Sequence, residues 1–228
     1  MSVIRDITPI TTAMNFRLPA TRPTEILLGG GMPDTFDIHP LTAERWADLE
    51  DLFGPLRGAN SGCWCMWPRI KGADYKAMEK TGRKDAFRAI VEAGPPPGLI
   101  AYHRGKAVGW CAIGPRPASS RFQAAKTSRP PEDVSEPDAS SVYAITCFFI
   151  RTGYRRQGLM RHLASAAVEF ARANNAVAVD ACTIDPEKPL TWGEGFVGIA
   201  SVFTKLGFSE IARRSPRRPL MRLKLSER

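Results

Sequence analysis

The period of the hydrophobic positions changes several times along the chain, and each change marks an element. Phe36-Asp37-Ile38 alternates and predicts a short first strand. Leu41–Phe53 places Leu41, Trp46, Leu49, Leu52 and Phe53 on one helical face, with Thr42 as N-cap and Gly54-Pro55 as the stop. A loop containing Gly and Asn leads into GCWCMWPR at Gly62–Arg69, and a second helix over roughly Arg83–Glu92 ends at GPPPG. LIAYHRGKAVGWCAIGP reads as two apolar runs joined at Arg104-Gly105-Lys106, a hairpin. The run Val142–Ile150 (VYAITCFFI) is β-branched and aromatic with no turn residue inside it, the pattern of a buried strand. From Leu159 the apolar residues Leu159, Leu163, Ala166, Ala167 and Phe170 recur at helical spacing. AVAVDAC predicts the next strand, GIASVFTKLGF a further helix, and the alternating MRLKL a closing strand.

Two segments break this order. Pro115–Ser141 holds Pro117, Pro130, Pro131 and Pro137 among many Ser and charged residues, with Phe122 as its one aromatic residue. Its composition predicts a mobile segment, while its place between two core strands also suits a lid or substrate loop. Residues 1–35 scatter Pro and Thr among apolar residues and lack a signal peptide's basic-then-apolar layout. They predict a poorly ordered extension, with an arm bound across the surface as the alternative. The remaining residues, 36–228, suit one domain. No apolar run approaches the ~20 residues of a membrane span.

The junction between the long apolar strand and the following helix is the part richest in chemistry. RTGYRRQG joins them, with Gly158 in the turn and Arg155, Arg156 and Arg161 around the helix start. A helix N-terminus offers unpaired N–H groups and the positive end of a dipole, and Gly lets the backbone approach a phosphate. Ordinary helix starts also use Gly and Arg, so the junction alone reads both ways. GxxxxGK[ST] and a strand-to-helix GxGxxG are both absent, which argues against a P-loop and a Rossmann site.

RRQGLM resembles the [QR]-x-x-G-x-[GA] signature of the GNAT superfamily of acyl-CoA-dependent N-acyltransferases, with Arg155 first and Gly158 central. The hairpin, the strand AVAVDAC, the helix ending in LGF and the closing strand follow that family's order, so the resemblance spans Phe36 to Leu225. It implies an α/β (α+β) fold with a mixed, mostly antiparallel central sheet flanked by helices. It also implies acetyl-CoA or another acyl-CoA as co-substrate and an amine of a small molecule as acceptor. The pantetheine arm would pair with Cys147, Phe148, Phe149 and Ile150, and the pyrophosphate would sit on Arg155, Arg156, Gln157, Gly158, Leu159, Met160 and Arg161. GCWCMWPR, CFF and RRPLMRLKL resemble a bacterial subgroup of the superfamily, which implies no particular acceptor.

This sequence departs from the family pattern twice. Met160 stands where Gly or Ala is usual, and leaves phosphate binding untouched if its side chain turns back toward the core. Phe203 in VFTKLGF stands where many members carry the Tyr that protonates the leaving thiolate. Phe has no proton to give, so the thiolate leaves unassisted or another group acts, with Tyr143 the candidate and Ser201 and Thr204 as nearby hydroxyls. For the base, Asp180 is the first candidate, with Asp185 and Glu194 also near the acceptor side; Asp equally ends strands and starts turns. Trp64, Trp67 and Trp192 could wall an acceptor pocket, though each also suits core packing.

Composition adds limits. The 228 residues are 43% hydrophobic, enough for a sizeable core. Five cysteines, Cys63, Cys65, Cys111, Cys147 and Cys182, with no secretory signal, predict free thiols in a reducing cytoplasm. Cys63-x-Cys65 lacks a second ligand pair, so no metal site is expected. The net charge of +9 is concentrated between Lys205 and Arg228, where eight basic residues face two acidic ones. The segment reads as a solvated surface that protects edge strands and steers an anionic cofactor. The basic tail leaves an aminoacyl-tRNA-dependent acyl transferase or tRNA-acting protein on the same fold as an alternative, though ARRSPRRP lacks the aromatic residues that stack bases, and the Phe203 departure leaves a non-catalytic acyl-CoA-binding module as another. The oligomeric state stays open, a homodimer included.

Overall fold

The computed structural model describes residues 36–54, 58–132, 136–191 and 193–225. The segment 1–35, expected as an extension or arm, lies outside these residues, as does Trp192. A seven-stranded sheet runs β1 (Asp37–Pro40), β2 (Gly98–His103), β3 (Lys106–Pro115), β4 (Val142–Ile150), β5 (Ala178–Cys182), β7 (Pro219–Lys224) and β6 (Ser209–Arg213) in spatial order. Every neighbouring pair is antiparallel except β4 with β5. The mixed, mostly antiparallel sheet flanked by helices is the architecture the sequence led us to expect.

Helices cover both faces. On one lies α5 (Leu159–Ala173), whose Leu159, Leu163, Ala164, Ala167, Val168, Phe170 and Ala171 are buried. The small side chains let it sit close over Val108, Ile145 and Val179. On the other lie α1 (Trp46–Phe53) and α3 (Lys80–Ala93), packed on Ile100, Trp110 and Ala112 through Leu49, Phe53, Phe87 and Val91. The short helices α2 (Gly72–Ala77), α4 (Ser120–Ala124) and α6 (Ala200–Thr204) complete the set.

Several sequence expectations shift at this level. Thr42 precedes the first helical turn but does not cap it; its hydroxyl accepts from Arg45 Nη1 at 3.2 Å. The second helix begins at Lys80, and α2 and β6 had no clear signature because they are short and largely polar.

The larger correction concerns the proline-rich segment after β3. Composition predicted mobility, yet 116–128 folds down onto the sheet as a 3-10 turn, α4 and a second 3-10 turn. Charge pins it. Both Arg116 and Arg222 donate to the fully buried carboxylate of Asp180, with Arg222 Nε–Oδ1 at 2.6 Å and Nη2–Oδ2 at 2.9 Å. Arg116 Nη2 also donates to Ser128 O at 2.8 Å, and Arg222 grips Glu136 bidentately at 2.7 Å. Buried charges must be paired, and two guanidiniums satisfying one carboxylate turn a polar segment into the roof of the sheet.

Candidate functional site

The central feature is a gap in the sheet. Pairing of β4 with β5 covers Val142–Ile145 against Ala178–Ala181 and stops there. At that point β4 carries a bulge: Ala112 faces Cys147 and Ile113 faces Ile145, leaving Thr146 as the extra residue. A bulge bends its strand and increases its twist, so the second half of β4 swings away from β5. The place beside β5 is taken instead by Gly198–Ala200, through Ile184 N to Gly198 O and Ala200 N to Ile184 O, both at 2.8 Å. Thr146–Ile150 therefore pairs only with β3. Arg151 N donates to Val108 O, and by strand alternation the backbone groups of Phe148 and Ile150 face the gap.

The gap leads to the α5 turn. Arg155 Nε donates to Ile150 O at 3.1 Å, and Gln157 Nε2 to Gly153 O at 2.7 Å, so side chains hold the turn's shape. Arg156 and Gly158 take left-handed φ values of 63° and 81°. Gly158 supplies that conformation without strain, and a Cβ there would meet nothing nearer than the His162 ring at 4.0 Å. From Arg155 to Met160 no backbone N–H finds a well-aligned acceptor among the described residues. Arg155, Arg156 and Arg161 are exposed around it, while Met160 packs partly against the core, the orientation that leaves the turn open. Consecutive free N–H groups at a helix start, ringed by guanidiniums, have the chemistry that suits an anion.

The other end of the gap is apolar and rich in sulfur. A cavity of about 20 Å³ is lined by Ala59, Cys63, Cys65, Cys147, Phe148, Phe149 and Phe196. That is room for a water or a small group, not a whole ligand. Its wall is the 58–65 loop, in which Gly58, Ala59, Ser61, Gly62, Trp64 and Cys65 all have φ between 45° and 73°. Trp64 stacks on Trp46 at 5.9 Å and lies so close over Gly58 that a Cβ would stand 2.1 Å from its Nε1. Cys65 is thereby pressed against the sheet, where its sulfur accepts from Trp110 Nε1 at 3.0 Å. The neighbouring Cys147 thiol lowers the Cys65 pKa most, and Arg69 and Trp110 add to it against the upward push of burial. Cys147, whose sulfur lies 3.8 Å from Phe148 O, moves the opposite way, raised by Cys65 and by burial. Cys63 is raised by burial. Among the described residues no group of three or more His, Cys, Asp and Glu is placed to hold a metal ion.

Of the residues singled out in sequence, Cys147, Phe148, Phe149, Ile150 and Arg155 to Arg161 come together along this gap and turn. Tyr143 and Asp180 do not. Tyr143 is buried at the paired end of β4, opposite Val179, its hydroxyl without a partner, and burial pushes its pKa up to about 12. Asp180 spends both oxygens on Arg116 and Arg222 and has none free to take a proton from an amine. Position in the chain put them near the strand end, and pairing places both in the closed half, away from the gap.

The other acidic candidates are engaged too. Asp185 pairs with Arg213 at 3.0 Å. Glu194 accepts from Thr191 N and from Arg217, bonds that hold its pKa down to about 2. Phe203 is fully buried edge-on to Phe148 at 6.1 Å and Phe208 at 5.0 Å, so α6 brings no acid to the gap. Trp64 is core, and Trp67 lies on the surface between Arg121 and Tyr75. The basic tail is less free than its charge suggests. Arg213, Arg217 and Arg222 pair with acids, and Arg214 and Arg218 bind backbone carbonyls. What sequence reasoning missed is the approach of Cys65 to Cys147; the doubled Cys of GCWC was its one visible signal.

The chain matches the acetyltransferase (GNAT) family over residues 64–190, and it belongs to that family. A GCN5-related N-acetyltransferase from Kribbella flavida shares the fold, with a TM-score of 0.50 and 12% identity over 85% of this chain and 100% of its own. The PaiA N-acetyltransferase of Thermoplasma acidophilum, solved in complex with coenzyme A, gives 0.47 and 12% over 83% and 99%. No protein of curated function matches the chain. No helix among the described residues is long and apolar enough to cross a membrane.

Proposed function

We propose that this GNAT protein transfers an acyl group, most simply acetyl, from acyl-CoA to an amine of a small molecule. One observation carries the reading: the open edge of β4 runs directly into the unpaired N–H groups of the Arg155–Arg161 turn. The gap offers the amide-bearing pantetheine arm the backbone of Phe148 and Ile150, flanked by Cys147 and Phe149. The turn offers the pyrophosphate the N–H groups of Arg156, Gln157, Gly158, Leu159 and Met160, with Arg155 and Arg161 for charge. Laid this way, the cofactor ends its thioester near the Thr146 bulge and the small cavity, where the acyl group meets its acceptor.

The engagement of the tail arginines within the fold favours a small acceptor over tRNA, since few of them are left to neutralise phosphates. On its motif alone, we also place the chain in the bacterial subgroup marked by GCWCMW. Calorimetric titration with CoA, followed by acetyl-CoA consumption across a panel of amines, tests the reading. Micromolar CoA binding and turnover with one amine class support it; absence of CoA binding sinks it.

A further inference from the structure

Resting on the acyl-CoA reading of the gap, we propose that Thr183 is a catalytic residue whose hydroxyl donates a hydrogen bond to the CoA sulfur as it leaves. Its place follows from the register. Ile145 and Ala181 are the last paired positions of β4 and β5, and their side chains lie in the core with Val179 and Phe203. Side chains two apart on a strand share a face, so Thr183 carries the next side chain on that face, the first beyond the point where the strands part. Continuing the register, β4 reaches that level at Thr146 and Cys147, where the bulge turns it away. The main chain fixes Thr183 there: its N–H donates to Pro219 O at 3.1 Å and its carbonyl accepts from Arg218 Nε at 3.0 Å. Both backbone groups thus face β7, while Ile184 bonds Gly198 and Ala200 on the gap side. Thr183 is wholly buried, yet its hydroxyl has no hydrogen-bond partner among the described residues. A buried hydroxyl without a partner costs free energy, and Val would fill the same space without that cost. Tyr143 has the other unpartnered hydroxyl of this sheet, but it lies one pair further inside the closed half. A ligand atom arriving where the gap closes supplies the partner that Thr183 lacks.

In the transfer the amine attacks the thioester carbonyl directly. The C–N bond forms, the C–S bond breaks, and the CoA sulfur leaves with the electron pair. Thr183 donates its O–H to that thiolate and keeps its own proton. The proton shed by the amine is the one the CoA sulfur finally takes, so no further reagent is needed. A hydrogen bond to the charged form lowers the pKa of the thiol, and a thiol of lower pKa leaves faster. Thr183 thereby offsets part of the loss of the phenol that Phe203 replaces.

The test needs no knowledge of the amine. The thiol of bound CoA is titrated through the ultraviolet absorbance of its thiolate, with the complex of desulfo-CoA as the blank. On Thr183→Val the thiol should titrate about one unit higher than on wild type, a tenfold weaker hold on the thiolate. Thr183→Ser, which keeps the hydroxyl, should stay close to wild type. Thermal stability of Thr183→Val should match or exceed that of wild type, since no hydroxyl partner is lost, and desulfo-CoA should bind both alike. Thr183→Ala should show the same rise in thiol pKa and serves where the Val variant misfolds. An unchanged thiol pKa in these variants, or an equal rise in Thr183→Ser, would overturn this proposal alone. No CoA binding by wild type would remove the acyl-CoA reading with it.

Discussion

The two halves of β4 are nearly alike as sequence and opposite as structure. Val142–Ile145 is paired on both sides and closed over by α5 on one face and the Arg116–Asp180–Arg222 cluster on the other. Thr146–Ile150 is paired on one side only and borders the gap and the cavity. The difference comes from one extra residue, Thr146. The lesson is that residues which look reactive in sequence can lie in the closed half, as Tyr143 and Asp180 do, while the open half sets the Cys147 sulfur and the backbone of Phe148 and Ile150 beside the gap.

The hardest blow to this contrast would come from Asp180. Asp180→Ala leaves two buried guanidiniums facing each other, and should cost about 3–5 kcal/mol of stability in chemical denaturation. A variant that stays as stable as wild type while turnover disappears would return Asp180 to catalysis. In the open half, Gly158→Val forces a β-branched residue to a φ of 81° and displaces N–H donors. It should weaken CoA binding by about 1–3 kcal/mol in calorimetry, and unchanged affinity would remove the turn from the site.

Phe203→Tyr sharpens the border between the halves. The Phe203 ring is enclosed by Phe148, Phe208 and Gly198, so a new hydroxyl has nowhere to bond. A loss of about 1–3 kcal/mol in stability is expected, with no gain in turnover. Faster acyl transfer in that variant would show that the hydroxyl does reach the sulfur. Smallest of all is Tyr143→Phe, which removes a hydroxyl that has no partner. Stability should hold or rise by up to about 1 kcal/mol and turnover should not change. A large fall in turnover with CoA bound normally would make Tyr143 the acid after all.

The sequence by itself determined the long strand, the glycine turn and the amphipathic helix, because these rest on local periodicity and on the conformational needs of single residues. It also determined the order of the longer elements and the absence of a phenol at position 203. Only the tertiary structure decided which half of the strand stays open, because a bulge is defined by the partner strand and leaves no local mark. Burial of Arg116, Asp180 and Arg222 was equally hidden. A charged residue in sequence looks like surface, and only its distant partners make burial tolerable. The same holds for Cys65 and Cys147: 82 positions apart in the chain, they meet because a strained loop and a splayed strand converge on one cavity.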